Sequence, residues 1–240
     1  IFLKTAKTAG SSIEFYLSQF CGKKDTITSL LPKEEKLKKK FNLLIKQNYE
    51  YKKIKFALKN FKKLKFSKRI VLNDHSSLQV LEKKIKLSLQ KYYIFAFVRN
   101  PYHWIVSYFW WYLYYEKILN IKDLNKLEKK EINLLFKLFL KFQCSYWFNW
   151  MKDIIYSKNN KVHIYKYENI DKNIIKIKKI LSLDNERIKF GKIKLKTISI
   201  NSKIKQKLKL DKDDIKLIKK EAKYFFKTYS YSKKVPKIYI

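Results

Sequence analysis

The chain has 240 residues, of which 46% are hydrophobic and 17% aromatic, so we expect one α/β domain with a sizeable core and exclude a disordered chain. Its net charge of +37 comes from 54 lysines and only three arginines. Specific nucleic-acid surfaces favour the bidentate fork of arginine, so this lysine excess indicates compositional bias and predicts no specific nucleic-acid partner. The charge still attracts anionic ligands without specificity.

The cysteine content and the apolar runs bear on the cellular compartment of the protein and on whether it spans a membrane. Cys21 and Cys144 have no metal-ligand spacing and are expected to be reduced or buried thiols. The richest apolar run, residues 102–115, is aromatic and too short to span a bilayer. The sequence therefore predicts a cytoplasmic protein with no evident membrane association, although the chain starts at Ile1 rather than Met and a preceding segment, which could carry an anchor, is expected.

The first third of the chain is expected to hold a short strand, several helices and a second strand. Residues 1–3 are apolar and predict a strand that leads into a helix over 13–20. The lysine-rich segment 33–66 has apolar residues at helical spacing and predicts a helical insertion of two helices, separated near residues 47–49. A short strand follows at 69–72. Ser76 and Ser77 then predict the start of a helix, with four apolar residues on one face: Leu78, Leu81, Ile85 and Leu89.

The remaining chain alternates strands and helices. Residues 92–98 form an unbroken apolar run that is typical of a strand buried on both faces of a parallel sheet. The other predicted elements are helices at about 102–118 and 131–151, a strand at 162–165, and helices at about 171–181 and 211–227. This alternation predicts a single α/β domain over 1–240, with a central parallel β-sheet flanked by helices on both faces.

The segment that joins the first predicted strand to its helix has the composition of an anion-binding loop. It spans residues 4–13 and reads KTAKTAGSSI. Lys7, the hydroxyls of Thr8, Ser11 and Ser12, and the N–H groups of a helix N-terminus would converge there. The lysine precedes the glycine, so the loop is not a Walker A loop, and the Rossmann glycine pattern is also missing. Taken alone, the pattern also fits a hydroxyl-rich helix cap without a ligand.

A second polar cluster follows the buried strand at 92–98. Arg99 emerges at the end of this strand, Pro101 suits the first turn of the next helix, and Ser107 lies one to two turns into it. The guanidinium group of arginine suits bidentate binding of a phosphate. The alternative is a structural pair between Arg99 and a carboxylate.

His75 is a third candidate, because it follows the predicted strand at 69–72 and precedes a capped helix. A neutral imidazole there could take a proton from an attacking hydroxyl group, although a lone histidine is more often structural. Since ligands bind at the carboxyl ends of parallel strands, we expect the loop at 7–12, His75 and Arg99 to meet at one edge of the sheet.

The order of these motifs resembles the sulfotransferases that use 3′-phosphoadenosine 5′-phosphosulfate (PAPS), in particular their carbohydrate branch. Residues 6–12 (AKTAGSS) are similar to the family's PKTAGTS loop for the 5′-phosphosulfate, and residues 97–101 (FVRNP) with Ser107 are similar to its 3′-phosphate motif. His75 is placed like a histidine that relatives often have just before a helix. Weaker matches are residues 165–170 (YKYENI), 201–203 (NSK) and Tyr231.

The resemblance covers roughly residues 1–231 and implies the P-loop-like sulfotransferase fold, with PAPS as the sulfuryl donor and no metal. It implies that Lys7 stabilises the leaving group and that His75 is the general base for a hydroxyl acceptor, expected to be a saccharide. The residues implied to bind the donor are Lys7, Thr8, Ala9, Gly10, Ser11, Ser12, Arg99 and Ser107.

Three positions depart from the family pattern. Ala6 replaces a common proline, His103 a common aspartate, and Trp104 a common arginine or lysine. Loss of one cation beside the 3′-phosphate would weaken binding by about 1–2 kcal/mol. A catalytically degenerate relative is therefore an alternative. A non-catalytic polyanion-binding protein is a further alternative, whereas a kinase-like enzyme is disfavoured because the Walker lysine and a carboxylate pair are missing.

Overall fold

The fold is that of a computed structural model, which describes residues 1–54, 67–73, 75–84, 88–116, 118–192, 195 and 200–240. The strands are β1 (Phe2–Leu3), β2 (Glu50–Ile54), β3 (Ser67–Val71), β4 (Ile94–Val98) and β5 (Val162–Lys166). The α-helices are α1 (Gly10–Leu17), α2 (Pro32–Lys40), α3 (Pro101–Tyr115), α4 (Ile121–Leu124), α5 (Lys129–Ile155), α6 (Ile170–Ile180), α7 (Ser202–Gln206), α8 (Lys212–Glu221) and α9 (Lys223–Thr228).

A parallel sheet with the strand order β1-β4-β5 lies at the centre of the fold. Leu3 lies opposite Ala96, and Ala96 lies opposite Ile164. All five residues of β4 are buried, because this strand is paired on both edges and covered on both faces. The carboxyl ends of the three strands consequently meet at one edge of the sheet.

Helices cover both faces of this sheet. Phe95 and Phe97 point to one face, where they pack with Ile13 of α1 and Ile174 of α6. The alternate residues of β4 join the larger core formed with α3 and α5 on the other face. The structure therefore confirms a mixed α/β architecture with a parallel sheet flanked by helices.

Most predicted helices lie close to their expected positions. The observed α1, α3, α5 and α6 overlap the helices expected over 13–20, 102–118, 131–151 and 171–181. Pro101 occupies the first turn of α3, and the side chain of Asn100 caps it by accepting a hydrogen bond from the N–H of Tyr102 at 3.0 Å. Helix α3 thus begins directly after Arg99 and Asn100, and it carries Ser107 within it.

The helical insertion over 33–66 is only partly correct. Helix α2 accounts for its first half, but residues 50–54 form β2, which pairs antiparallel with β3 so that Glu50 lies opposite Val71. The predicted second helix is wrong over 50–54, because a short apolar pattern among lysines does not distinguish a helix from a strand that has a pairing partner. Residues 55–66 lie outside the described residues.

The strand expected near 69–72 therefore exists, but it belongs to this separate two-stranded sheet and not to the parallel one. The helix expected after Ser77 is observed as a short helical segment over 78–84, which is a π-helix at Val80–Lys84, and Leu78 and Leu81 are buried. Ile85 lies outside the described residues. Within the described part of the chain, no helix combines the length and the apolar character needed to cross a membrane.

Candidate functional site

The loop between β1 and α1 takes a backbone path that ordinary residues rarely adopt. Lys7 and Ala9 have φ values of 57° and 60°, in the left-handed region. Ala9 is the residue just before α1, and its carbonyl accepts the first helical hydrogen bond from Ile13 at 3.0 Å. Two non-glycine residues in this conformation mean that the surrounding contacts must hold the loop in place.

Gly10 lets the loop close directly over the side chain of Lys4. A Cβ atom at Gly10 would lie 2.5 Å from Cγ of Lys4 and 3.3 Å from the carbonyl oxygen of Thr5. The first of these distances is shorter than any normal contact, so the glycine is required by close packing and not by its φ angle.

Beneath the loop lies a small group of buried charges. The ammonium groups of Lys4 and Lys38 lie 3.0 Å and 3.3 Å from the carboxylate oxygens of Glu14. Lys4 is 5% exposed and Lys38 is fully buried. Glu14 therefore joins the end of β1, helix α1 and helix α2 through one carboxylate.

The loop is also held by two threonine hydroxyls. The Thr5 hydroxyl donates a hydrogen bond to the carbonyl of Phe97 in β4. The Thr8 hydroxyl lies 2.8 Å from the Thr5 hydroxyl and donates a hydrogen bond to the backbone carbonyl of Thr5. Both threonines are buried. The Thr8 side chain thus stabilises the interior of the loop and does not line the cavity described below.

The second polar cluster contacts the first loop through the side chain of Arg99. The guanidinium group donates a hydrogen bond from Nη1 to the carbonyl of Lys7 at 3.3 Å, and its carbon lies 4.7 Å from the ring centre of Tyr167. Arg99 is half-buried, so one side of the guanidinium remains accessible while the other is fixed by the first loop and the Tyr167 ring.

Two residues from later in the chain position the segment around Arg99. One carboxylate oxygen of Glu168 accepts a hydrogen bond from the N–H of Asn100 at 2.7 Å, and the other lies 2.9 Å from the hydroxyl of Tyr231. The same hydroxyl lies 3.1 Å from the carbonyl of Val98. Burial and the nearby Glu168 carboxylate raise the pKa of Tyr231, so its hydroxyl remains a proton donor.

Both polar clusters line one cavity of about 730 Å³ at the carboxyl edge of the sheet. The predicted residues that it brings together are Lys7, Ala9, Gly10, Ser11, Ser12, Arg99 and Ser107. Further lining residues supply hydroxyl, amide and charged groups from the second half of the chain, among them Asp171, Ser202, Lys205 and Gln206. Of the residues predicted from the sequence, Thr8 and His75 do not belong to this lining.

His75 lies on another side of the first loop. Its Nδ1 atom lies 2.7 Å from the carbonyl oxygen of Lys4, and its ring packs edge-on against Trp150 with centres 5.2 Å apart. A carbonyl oxygen can only accept, so Nδ1 donates and the neutral ring has its lone pair on Nε2. That tautomer is suited to accept a proton.

A chain of aromatic contacts connects His75 with Lys7. The Lys7 ammonium lies 6.0 Å from the ring centre of Trp111, and Trp111 lies 5.0 Å from Tyr108. Trp147 then contacts Tyr108 at 4.5 Å and Trp150 at 5.3 Å between ring centres. We call the set Tyr108, Trp111, Trp147 and Trp150 the aromatic cluster; its three tryptophans are partly exposed.

The sequence did not reveal the role of His103, which lines the cavity. Its Nδ1 atom lies 2.9 Å from the hydroxyl of Tyr239, which belongs to the C-terminal segment on the same cavity wall. Burial, together with the nearby positive charge of Arg99, lowers the pKa of His103. This contact joins residues 136 positions apart, so no local pattern could have predicted it.

Trp104, which stands where the resemblance expected a cation, has a structural role. It is 1% exposed, and its indole N–H donates a hydrogen bond to the carbonyl of Ala6 at 2.8 Å. The side chain therefore lies in the core under the first loop and fixes the loop backbone.

Comparisons with protein-family models, with curated protein sequences and with solved structures find no match to this chain. Within the described residues, no group of three or more histidine, cysteine, aspartate or glutamate side chains could hold a metal ion. The chemistry of the cavity must therefore be inferred from its own residues.

Proposed function

We propose that this protein is a PAPS-dependent sulfotransferase with the P-loop-like fold of that family, and that it transfers a sulfuryl group to a hydroxyl acceptor, with a saccharide as the acceptor class. The observation that carries the proposal is that two polar loops, 92 residues apart in sequence, line one cavity and are joined by the hydrogen bond from Arg99 to Lys7. Each loop alone has a structural explanation, but their convergence favours one ligand with two anionic ends.

The residues around the cavity fit such a ligand. The N-terminus of α1 and the hydroxyls of Ser11 and Ser12 suit one phosphate-like group, and Arg99 with Ser107 suits a second. When bound, PAPS supplies an activated sulfuryl group joined to a phosphate that leaves. A second anion-binding group would let the protein distinguish PAPS from ATP, which has no 3′-phosphate.

Lys7 is proposed to stabilise the negative charge that develops on the leaving oxygen. Its left-handed backbone and the hydrogen bond from Arg99 to its carbonyl fix the position from which its side chain extends. A preorganised cation next to a helix N-terminus stabilises developing negative charge without further reorganisation.

His75 is proposed to accept the proton of the acceptor hydroxyl through Nε2. The Lys4 carbonyl accepts a hydrogen bond from Nδ1 and so fixes the tautomer that has its lone pair on Nε2. Because the aromatic cluster extends from His75 to Lys7, the acceptor would bind against it. The flat faces of partly exposed tryptophans suit the apolar faces of sugar rings, which supports a saccharide.

Calorimetry with adenosine 3′,5′-bisphosphate and with ATP tests the donor site. We expect the wild type to bind the bisphosphate more tightly than ATP, and Arg99→Ala to weaken bisphosphate binding about tenfold to a hundredfold because a charge-assisted hydrogen bond is lost. The exposed Arg187 provides the matched control, and Arg187→Ala should bind as the wild type does. If the bisphosphate does not bind, the proposal is wrong.

Transfer from labelled PAPS to a panel of saccharides tests the catalytic roles. Loss of a general base lowers the rate by about 10²–10⁴-fold, so His75→Ala should reduce transfer by that amount and leave bisphosphate binding unchanged. Lys7→Ala should reduce both, whereas Lys172→Ala on α6 should affect neither. Undiminished transfer by His75→Ala would remove the base assignment alone.

A non-catalytic polyanion-binding protein is the second candidate, and the net charge of +37 favours it. It predicts binding to heparin that falls steeply with salt and is unchanged in His75→Ala and Lys7→Ala. A catalytically degenerate sulfotransferase would instead bind the bisphosphate and show no transfer with any acceptor.

A further inference from the structure

Helix α5 carries a row of apolar side chains on its outer side. Leu134, Leu138, Phe142 and Tyr146 are 60%, 45%, 67% and 60% exposed. They follow one another at intervals of four residues, and with a rise of about 1.5 Å per residue the row is about 18 Å long. We call these four residues the outer stripe.

The outer stripe is separate from the core-facing side of the same helix. Ile132, Phe136, Leu140 and Phe148 of α5 are buried at 0–3% exposure and pack in the main core. An amphipathic surface helix normally places its polar residues on the opposite side. Here that side has two leucines and two aromatic rings, so the outer stripe is not explained by the packing of the domain.

Lysines flank the outer stripe. Lys130, Lys137 and Lys141 are exposed on α5, and the Lys141 ammonium lies 5.5 Å from the ring centre of Phe142. The ion pair between Lys137 and Asp211 at 2.5 Å places α8 beside α5, and α8 adds four exposed lysines: Lys212, Lys216, Lys219 and Lys220. The exposed acidic residues of these two helices lie near their ends: Glu131 and Asp153 on α5, and Asp211 and Asp213 at the start of α8.

We propose that the outer stripe docks on an anionic lipid surface. Leucine and aromatic side chains enter the boundary between the headgroups and the acyl chains, and the flanking lysines contact the lipid phosphates. Charge complementarity favours this partner over a second copy of the chain, because two copies that each carry +37 repel one another. This inference does not depend on the proposed enzymatic activity.

Sedimentation with vesicles tests the docking with the full chain. The vesicles are phosphatidylcholine alone, or phosphatidylcholine with about 30% phosphatidylserine, at about 0.15 M salt, where exposed charges are partly screened. The variant is Leu138→Ser with Phe142→Ser. The matched control is Ile175→Ser with Ile180→Ser on α6, where both side chains are also exposed, at 58% and 44%.

We expect the wild type and the α6 control to bind the phosphatidylserine vesicles equally, and the stripe variant to bind at least about tenfold more weakly, because two apolar side chains no longer leave water. Equal binding by all three proteins would overturn the proposal, since the overall charge would then suffice. The proposal would also be overturned if the wild type self-associated without vesicles and the stripe variant did not. The outer stripe would then be the contact surface between two copies of the chain. All the substituted residues are exposed, so unchanged thermal unfolding is expected and verifies that each variant is folded.

Discussion

The two loops that line the cavity are held in different ways. The first loop, residues 4–12, is fixed from within and from below, by the Thr5 and Thr8 hydroxyls, by the Trp104 indole and by the buried charges around Glu14. The segment around Arg99 is fixed from outside by Glu168 and Tyr231, which come from later in the chain. The first loop therefore depends on the core, and the second depends on elements that pack at the sheet edge.

Because the two loops are held differently, substitutions around them should have different effects on stability and on ligand binding. Changes beneath the first loop should lower the free energy of unfolding, because they leave buried charges without a carboxylate or force atoms to overlap. Changes around Arg99 should chiefly weaken ligand binding in the cavity, because they free the segment that carries its guanidinium group.

Glu14→Gln should give the largest loss of stability. The variant leaves the buried ammonium groups of Lys4 and Lys38 facing an uncharged amide, and removal of one partner from a buried ionic group costs about 3–5 kcal/mol. Urea unfolding measures the loss. Glu186→Gln, which removes the carboxylate of a more exposed pair with Lys178, should cost less than about 1 kcal/mol. Similar losses in the two variants would contradict the structural role of the buried group.

Gly10→Ala should lower the free energy of unfolding by about 1–3 kcal/mol, because the new methyl group would overlap Lys4 and force the loop to move. Gly22→Ala is the matched control, since a Cβ there would meet only the Asp25 carboxylate at 3.7 Å. The same denaturation experiment compares them. If Gly10→Ala is as stable as Gly22→Ala, then the close approach of Lys4 does not constrain the loop.

Tyr231→Phe should cost about 1 kcal/mol of stability, because it removes the hydroxyl between Glu168 and the carbonyl of Val98. It should also weaken binding of adenosine 3′,5′-bisphosphate, since Arg99 follows Val98 directly. The exposed Tyr92 provides the control, and Tyr92→Phe should change neither quantity. A stability loss without any change in bisphosphate affinity would show that the Tyr231 contact does not affect ligand binding in the cavity.

His103→Gln should change how stability depends on pH. Burial and the charge of Arg99 lower the pKa of His103 in the folded protein, so as the pH falls the unfolded chain takes up this proton first, near its ordinary value of about 6.5. The wild type should consequently lose stability relative to the variant as the pH decreases below that value. Thermal unfolding at several pH values measures the difference. A constant difference across the pH range would show that His103 has the same pKa in both states.

Local patterns were sufficient to predict much of the fold. The unbroken apolar run of β4 and the long apolar repeats of α3 and α5 each specify one element, whatever lies around them. The segment at 50–54 was misassigned because a strand of five residues needs a pairing partner to form. That partner, β3, is predicted as a strand from its own residues, but nothing in its sequence identifies it as the partner of residues 50–54.

The two loops were predicted from their composition, because glycine, proline and arginine are rare in this chain and their clustering is informative. The supporting contacts were not predictable in the same way. Glu168, Tyr231 and the contact between His103 and Tyr239 each join positions more than 60 residues apart. The structural role of Trp104 likewise depends on the path of the first loop above it.

The separation between the two loops also bears on how the protein folds. The bond from Arg99 to Lys7 closes a segment of 92 residues, and β1 joins β4 across a similar distance. Contacts between such distant positions form late and slowly, because the chain entropy of closing a long loop is lost before the contacts compensate for it. Helices α3 and α5 can form earlier from local contacts. The cavity should therefore be among the last parts of the molecule to assemble, and an anion that binds there would stabilise only the fully folded chain.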